Sequence, residues 1–384
     1  MKNKRPEILA YYFPNWHVDP RNEKWHGKGW TEWNVTRCAT PRFPGHKQPK
    51  KPLWGYEDEA DPAVMGKYIE TAVDHGINGF MFDWYYYAEG GPYRTRCLEE
   101  GLMKAANVDR IKFAVMWCNH DAIQSHPGCR AFPRPTLCSG EVNAETFRNA
   151  TQYCIEHYFR HPSYLRVDGK VVFSIFQLKK MVDELGGESA ARAVFDDFRN
   201  RVRQAGLGGL HLTAVHVGYQ QGLNSSIPDR TETEQLNASL ATLGLDSRSA
   251  HGWQWTCDPD TPCVDYGAAA EENLKAYLHF SQDFDLPFNP GMMAGWDSSP
   301  RMVQSDVFFD SEARPSVLMD STSEQFEKYL RKAKEFTDSD AFTGKFLMIH
   351  SWNEWTEGAY LLPDEERGLG HLEAIRKVFG PVDS

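Results

Sequence analysis

The feature that most constrains the fold is a repeated alternation along the chain between short apolar runs and segments with helical spacing. This alternation predicts strands joined by helices, and eight strands with intervening helices are typical of a (β/α)8 TIM barrel, an α/β fold. A doubly wound open sheet is the alternative arrangement of the same elements. The predicted strands cover residues 7–13, 77–84, 111–118, 170–176, 211–217, 249–255, 288–295 and 345–351.

The first predicted helix carries signals at both ends. In DPAVMGKYIETAVDHG, Asp61 is predicted to cap the N-terminus, Pro62 to occupy the first helical position and Gly76 to end the helix. Other segments with helical spacing are NAETFRNATQYCIEHYF, ESAARAVFDDFRNRVRQAG, EENLKAYLHFSQDF, SEQFEKYLRKAKEF and GHLEAIRKVFG.

The 384 residues are predicted to form one domain, residues 1–384, with long loops after the strands. The sequence contains no internal repeat, low-complexity tract or linker that would mark a second domain. It also lacks a glycine-rich phosphate-binding loop of the GxGxxG or GxxxxGK[ST] type, and no cofactor is predicted.

The charge of the chain bears on its partners and location. A net charge of −11 argues against nucleic acid or an anionic membrane as a partner. No run approaches the ~20 apolar residues of a membrane span, and MKNKRPEILAYYFPNWH lacks the apolar segment of a signal peptide, so a cytoplasmic location is expected. Eight cysteines without a C-x-x-C pair predict reduced thiols. The sequence predicts no oligomeric state.

The tryptophans are unevenly distributed relative to the predicted strands. In a barrel, the carboxyl ends of the strands form the face on which active sites are built. A bowl of indole rings mixed with polar side chains is predicted there, which suits a sugar with apolar C–H faces and hydroxyl groups. Packing of the barrel rim is the alternative for each ring. All 12 tryptophans follow a strand or lie at its carboxyl end: Trp16, Trp25, Trp30, Trp33, Trp54, Trp84, Trp117, Trp253, Trp255, Trp296, Trp352 and Trp355.

Two carboxylates follow the last predicted strand in FLMIHSWNEWTEGAYLLPDE, residues 346–365. A helical turn after the strand would place Glu354 and Glu357 on one side, and Gly358 permits the change of direction. Two carboxylates in a partly desolvated cleft do not ionise freely together, which divides them into an acid and a base. Cleavage of a glycosidic bond requires that division. A solvated helix start is the alternative explanation.

The same segment carries a resemblance to a known family. SWNEWTEGAYLLPDE resembles the N-E-W-x-E-G signature of the glycoside hydrolase family 99-like group, which includes endo-α-mannosidases and WbsX-type polysaccharide proteins. The resemblance extends over residues 7–378 and implies a (β/α)8 barrel. Further segments that look like WbsX-type motifs, in the expected order, are YYFPNWH, WHGKGWTEWNVTR, PRFPGHKQP, ADPAVMGKYIETAVDHGINGFMFDWYY and GMMAGWDSSPR.

The resemblance also implies roles for the two acids. Glu354 would deprotonate the substrate 2-hydroxyl, which attacks C1 to give a 1,2-anhydro sugar. Glu357 would protonate the leaving oxygen and then activate water, with net retention of configuration. After the third strand the chain departs from the pattern, because WCNHDAIQSHPGC replaces the fuller Trp-Ala-Asn-Glu-Asn-Trp-like segment of many WbsX-type proteins. The departure affects the contacts assigned to Asn119 and His120.

Further residues are predicted to bind the substrate. Asp83 ends the second strand beside Trp84, where its carboxylate would bond either a sugar hydroxyl or the loop backbone. Trp296, Asp297 and Arg301 would form a sugar platform and an ion pair, or organise their loop. The remaining predicted contacts are Tyr12, Trp16, Glu32, Trp33, Trp117, Asn119, His120, His216, Trp253, Asn353 and Trp355. No H-x-H or H-E-x-x-H pair occurs, and no metal is predicted.

Three functional hypotheses follow from the sequence. The main one is a retaining glycoside hydrolase that acts on an α-linked, mannose- or rhamnose-like oligo- or polysaccharide. The second is a glycosyltransferase in polysaccharide assembly, since many WbsX-type proteins carry names of polysaccharide synthesis. The third is a non-catalytic glycan-binding protein, which would have no use for two poised carboxylates.

Overall fold

The barrel strands form at the apolar runs of the sequence, where β-branched and aromatic residues favour extended backbone. The computed structural model describes residues 6–127, 134–216, 229–253, 263–305 and 317–382. We number the barrel strands β1 (Glu7–Tyr12), β2 (Gly79–Tyr87), β3 (Lys112–Trp117), β4 (Lys170–Gln177), β5 (Leu210–His216), β6 (Ser247–Ser249), β7 (Phe288–Asn289 and Gly291–Met293) and β8 (Phe346–His350).

The strands pair in parallel around the barrel in chain order, from β1 to β6. Strand β8 pairs with β1. Strand β7 is in two pieces because Pro290 between them has no N–H group to donate. Phe288–Asn289 pairs with β6, and Gly291–Met293 pairs with β8. The sheet therefore passes through all eight strands and is joined at β7, which confirms the predicted barrel rather than the open sheet.

The predicted helices are present between the strands. Asp61 accepts a hydrogen bond from the Ala63 backbone N–H, Pro62 occupies the first turn, and Gly76 follows the helix with a φ of 92°. The α-helices of the described chain are α1 (Pro20–His26), α2 (Trp33–Cys38), α3 (Pro62–Asp74), α4 (Ala144–His157), α5 (Leu178–Glu184), α6 (Glu188–Gln204), α7 (Arg230–Leu243), α8 (Tyr266–Gln282), α9 (Ser323–Thr337) and α10 (Gly370–Phe379).

Some elements differ from the sequence prediction. Helix α7 was not predicted, although Asp229 and Glu232 form a capping box at its N-terminus. Strand β6 ends at Ser249 rather than continuing to residue 255, and residues 254–262 lie outside the described part of the chain. Short strands in the loops are Gly91–Tyr93, Ala122–Ile123, Thr136–Cys138, Arg166–Val167, Cys263–Asp265, Val317–Met319, Asn353–Glu354 and Ala359–Tyr360.

The hydrophobic core runs from Ile8 in β1 to Phe379 in α10 and lies largely between the sheet and the helices. Between α4 and α6, the rings of Phe147 and Phe195 are 5.5 Å apart. Five described cysteines are free thiols, in agreement with the prediction for these residues: Cys38, Cys97, Cys118, Cys138 and Cys154. None of the described helices combines the length and the apolar character that a membrane crossing requires.

Candidate active site

Two carboxylates reach one cavity from the turn after β8. Asn353–Glu354 pairs with Ala359–Tyr360 in a short antiparallel hairpin, and Trp355–Glu357 between them forms a 3-10 turn. Residues three apart eclipse one another in such a turn. Glu354 and Glu357 therefore both line a cavity of about 840 Å³ at the carboxyl ends of the strands. The helical turn expected from the sequence is present.

Gly358 closes this turn in a left-handed conformation with a φ of 63°. A Cβ at this position would lie 2.7 Å from the Asp297 backbone nitrogen. We expect Gly358→Ala to lower the free energy of unfolding by about 2–5 kcal/mol, because left-handed strain costs roughly 1–2 kcal/mol and overpacking roughly 1–3 kcal/mol. Chemical denaturation followed by circular dichroism measures the loss.

Gly368 is the matched control for this substitution. It also has a left-handed φ, 56°, but a Cβ there would meet nothing within 4 Å. Gly368→Ala should therefore cost only the strain, roughly 1–2 kcal/mol. If both variants lose the same free energy of unfolding, a Cβ close to Asp297 adds no cost beyond the left-handed strain, which would contradict this prediction.

Arg301 connects the two acids to a third carboxylate. It ends the 3-10 turn Ser299–Arg301 that follows β7. One terminal nitrogen lies 3.2 Å from oxygens of both Glu32 and Glu354, and the other donates a hydrogen bond to Glu357. The Arg301 Nε donates to the Thr356 hydroxyl over 2.9 Å. A single guanidinium group thus holds three carboxylates at one end of the cavity. The predicted ion pair of Arg301 with Asp297 is not formed, because Asp297 bonds His46 and Gln48 instead.

The pKa values of the two acids are displaced in opposite directions. Burial raises the pKa of Glu357 to about 8, against the lowering effect of Arg301. Burial also acts to raise the pKa of Glu354, but the hydrogen bond and charge of His350, together with Arg301, bring it below its usual value. The two side-chain atoms of the His350–Glu354 contact lie 3.2 Å apart. At neutral pH the arrangement provides one protonated and one ionised carboxyl group.

Two more acids line the same cavity. Burial, followed by the negative charges of Glu354 and Glu357, raises the pKa of Asp83 well above its usual value. The Asp83 Oδ1 is buried and has no hydrogen-bond partner in the described structure. The pKa of Glu32 is displaced the other way, to about 2, because nearby positive charges, led by Arg301, and a hydrogen bond from Thr356 together outweigh the effect of burial. The environment thus favours the uncharged form of Asp83 and the ionised form of Glu32.

Two groups of side chains have ligand atoms close enough for a metal ion. His350, Glu354 and Glu357 offer atoms within 4.8 Å of one another, and so do His17, Glu59 and Cys97. In the first group, the Arg301 guanidinium already contacts both carboxylates, and a divalent cation there would meet its positive charge.

The walls of the cavity differ from the predicted bowl of indoles. Among the described tryptophans, Trp25, Trp253 and Trp296 line it, and most of its rings come from tyrosine, histidine and phenylalanine. Of the predicted substrate contacts and catalytic residues, those that line the cavity are Glu32, Asp83, His120, Trp253, Trp296, Arg301, Glu354 and Glu357. Trp255 lies outside the described residues.

Trp84 and Trp117 point away from the cavity, contrary to the prediction. The Trp84 indole N–H donates to the Tyr158 hydroxyl over 3.3 Å, and the Trp117 ring lies 5.9 Å from Phe147 in α4. The reason is the alternation of side chains along a strand, since Asp83 points inward and its neighbour must point outward. These rings fill the space between the barrel and the helices.

Trp16, Trp33 and Trp355 form a buried cluster behind the turn after β8 and do not line the cavity. The Trp16 and Trp33 rings are 4.2 Å apart, and Trp33 and Trp355 are 5.7 Å apart. Tyr12 stacks on Phe82 at 4.4 Å and is likewise outside the cavity. Their role is packing, which orders the first loop against the turn after β8.

Three further predicted contacts serve the scaffold. Asn353 exchanges two hydrogen bonds with the Phe13 backbone, at 2.8 and 2.9 Å, which holds β1 beside β8. The Asn119 side chain likewise donates a hydrogen bond to the Gln177 carbonyl and accepts one from the Gln177 N–H, each over 2.9 Å. Asp297 accepts hydrogen bonds from two loop side chains and lines a second cavity of about 660 Å³. His216 ends β5, and its side chain is outside the described part.

The sequence reasoning missed several residues of the cavity. Tyr93 and Arg94 enter it from the hairpin after β2, His126 from the loop after β3, and His350 from the end of β8. Tyr87 also lines the cavity and was predictable from the sequence, since alternation from Asp83 places every second side chain of β2 inward. Tyr93, Arg94 and His126 come from segments outside the barrel strands, which only the folded chain brings together.

Known proteins match both the sequence and the fold. Residues 8–375 match the family model described as Glycosyltransferase WbsX. Two curated relatives, each named "Uncharacterized protein WxcX" and both from strains of Xanthomonas campestris pv. campestris, are 24% identical over 377 residues, which cover 96% of this chain and 49% of theirs. The chain therefore spans about half the length of these relatives.

Two solved structures share the fold. The GH99 endo-α-mannosidase from Bacteroides thetaiotaomicron has a TM-score of 0.57 at 15% identity, over 97% of this chain and 96% of that one. A structure described as "Glycoside hydrolase-like protein" has a TM-score of 0.62 at 15% identity, over 99% and 95% of the two chains. Since the family model matches nearly the whole sequence, the chain belongs to the family described as glycosyltransferase WbsX.

Proposed function

We propose that this protein is a retaining glycoside hydrolase that cleaves an α-linked bond in an oligo- or polysaccharide. The observation that carries the proposal is the pair of carboxyl groups in one cavity, one with a raised and one with a lowered pKa. Enzymes that cleave glycosidic bonds need one acid that donates a proton and one carboxylate that acts on the sugar.

The spacing of the two acids argues against an inverting enzyme. One oxygen of Glu354 and one of Glu357 lie within 4.8 Å of each other. Inverting enzymes hold their carboxyl groups about 6.5–9.5 Å apart to admit a water molecule, whereas retaining enzymes hold them about 5–5.5 Å apart. The turn after β8 and the shared contact with Arg301 keep the pair at the shorter spacing.

The proposed reaction has two steps. The Glu354 carboxylate takes the proton of the substrate 2-hydroxyl, whose oxygen attacks C1, while Glu357 gives its proton to the departing glycosidic oxygen. A 1,2-anhydro sugar results. Glu357, now ionised, takes a proton from water as the water oxygen attacks C1, and Glu354 returns its proton to the 2-oxygen. Each step inverts C1, so the product keeps the original configuration.

The walls of the cavity fit a sugar substrate. Aromatic faces from Tyr85, Trp253 and Trp296 offer stacking surfaces for C–H groups, and the buried Asp83 carboxyl group, whose Oδ1 lacks a partner in the described structure, offers a hydrogen bond to a hydroxyl group. A volume of about 840 Å³ falls within the usual range of ligand pockets. A mannose- or rhamnose-like sugar with an α-linkage is the proposed substrate.

A glycosyltransferase is the second candidate, favoured by the description of the family to which the chain belongs. The same two acids would serve transfer if a sugar hydroxyl replaced water in the second step. The two functions then differ in the acceptor that the cavity admits, and a donor-dependent assay separates them.

The proposal is tested with a panel of α-linked mannosides and rhamnosides. Products of the wild type, Glu354→Gln and Glu357→Gln are followed by NMR, with the exposed Glu234→Gln as a matched control. We expect release of a sugar with retained configuration by the wild type and the control, and none by the two site variants. Transfer only from a nucleotide- or lipid-linked donor would favour the glycosyltransferase, and binding without turnover a glycan-binding protein.

The pH dependence of activity should reflect both acids. Because Glu357 must be protonated, kcat/KM is expected to fall as the pH rises through about 8. Because Glu354 must be ionised and its pKa is lowered from 4.5, activity should persist until the pH falls below that value. A pH profile of kcat/KM measures both limbs. A decline already near pH 6 on the alkaline side would contradict the assignment of Glu357 as the acid.

A further inference from the structure

Arg94 brings a second guanidinium group into the cavity. It directly follows the short strand Gly91–Tyr93, which pairs with the end of β2. Its backbone has a φ of 58°, in the left-handed region that residues with a Cβ rarely adopt. The Arg94 backbone N–H donates to the Asp19 carboxylate over 3.2 Å, which helps to hold this conformation. Strain of this kind at a cavity wall is typical of functional positions.

The surroundings of Arg94 are aromatic rather than acidic. Its guanidinium carbon lies 4.6, 5.0 and 5.4 Å from the ring centres of Tyr93, Tyr85 and Phe13. Its Nε is buried without a hydrogen-bond partner, and no carboxylate of the described residues forms an ion pair with it. Arg301 differs, because three carboxylates contact it.

None of the described carboxyl groups that line the cavity forms an ion pair with Arg94. Glu32, whose charge acts on Arg94, is bonded to Arg301, Thr356 and Asn15. Asp121 accepts a hydrogen bond from the Gly140 backbone over 2.7 Å. Glu354 and Glu357 contact Arg301, and burial raises the pKa of Asp83, which favours its uncharged form. Within the described part of the chain, no carboxylate is therefore hydrogen-bonded to the Arg94 guanidinium.

We propose that Arg94 binds an anionic substituent of the glycan, a carboxylate or a phosphate, on a sugar next to the one that is cleaved. The guanidinium carbons of Arg94 and Arg301 lie 5.4 and 5.6 Å from the centre of the same Phe13 ring, so one oligosaccharide reaches both. The substrate class is therefore an acidic glycan. This inference rests on the proposed function of the cavity.

The test compares three probes by isothermal titration calorimetry: methyl α-D-glucuronoside, methyl α-D-glucoside 6-phosphate and the neutral methyl α-D-glucoside. We expect at least one acidic probe to bind the wild type about tenfold or more tightly than the neutral one, because hydrogen bonds between charged groups are strong when desolvated. The preference should fall to within about twofold in Arg94→Met. The two acidic probes distinguish a carboxylate from a phosphate.

Arg21→Met is the matched control. The Arg21 guanidinium carbon also lies near the Tyr93 ring, at 5.5 Å, but Arg21 bonds the Gly91 carbonyl and does not line the cavity. Arg21→Met should still bind the acidic probe more tightly than the neutral one. If Arg94→Met fails to fold by circular dichroism, Arg94→Lys replaces it and should bind the carboxylate probe more weakly, because lysine lacks the planar two-pronged donor.

Equal binding of acidic and neutral probes by the wild type, no binding of either acidic probe, or a preference that survives the loss of Arg94 would each overturn the inference. Turnover of neutral α-linked glycans is measured in parallel with wild type and Glu357→Gln. If turnover depends on Glu357 but the wild type does not prefer acidic probes, only the role of Arg94 is rejected. If binding prefers acidic probes through Arg94 but no glycan is turned over, only the proposed hydrolase activity is rejected.

Discussion

Replacing Glu357 by glutamine is expected to lower kcat/KM for an unactivated α-linked glycan by about 10²–10⁴-fold. Glutamine keeps the size of the side chain and a hydrogen-bond donor but has no proton to give to the departing oxygen. The raised pKa of Glu357, about 8, is what keeps that proton in place at neutral pH. Steady-state kinetics with a purified α-linked disaccharide measures the loss.

An aryl glycoside with an acidic phenol as leaving group provides the control substrate. Its departure needs little protonation, so Glu357→Gln should slow the first step of its cleavage far less. Glu354→Gln should impair both substrates, because the attack of the 2-hydroxyl needs a base whatever the leaving group. If Glu357→Gln lowers the rate equally for both substrates, the role of Glu357 as the acid is contradicted.

Replacing Arg301 by methionine is expected to lower the free energy of unfolding by about 3–5 kcal/mol, the usual cost when one partner of a buried ion pair is removed. The side chains that would lose their countercharge are buried, with Glu32 1% and Glu354 9% exposed. Methionine has a similar length, so the loss reports mainly the charge. Urea denaturation measures the change.

Two comparisons separate this effect from a general loss of packing. Arg230→Ala removes an ion pair whose arginine side chain is 92% exposed, and should change stability by less than about 0.5 kcal/mol. Adding Glu32→Gln to Arg301→Met should restore part of the stability, because one buried charge without a partner is removed. If the double variant is no more stable than Arg301→Met, the charge of Glu32 does not account for the loss.

The arrangement of the barrel and the acidic pair was accessible from the sequence because both depend on local patterns. Apolar runs at β1 to β5 and the signals around α3 mark elements whose neighbours lie within a few residues. The spacing of Glu354 and Glu357, with Gly358 after them, likewise describes one turn of chain. The capping box at the start of helix α7 is a comparable local signal, so this helix was also predictable from the sequence.

The tryptophans show where local reasoning fails. Position after a strand says that a ring is near one end of the barrel, but not whether it points into the cavity or towards the helices. Asp83 and Trp84 are neighbours, yet one lines the cavity and the other packs near α4. Period-two alternation would have separated this pair. For Trp16, Trp33 and Trp355, only contacts between distant segments decide the outcome.

Most strands and helices, the family and the two acids after the last strand follow from local stretches of the sequence. The ionisation of the two acids follows from the folded chain, because a pKa depends on burial and on charges brought together from distant segments. Arg301 arrives from the loop after β7 and Glu32 from the first loop, and neither is near Glu354 in the chain. The aromatic surroundings of Arg94, and its Nε without a hydrogen-bond partner among the described residues, are visible only in the folded cavity, because they depend on segments that are distant along the chain.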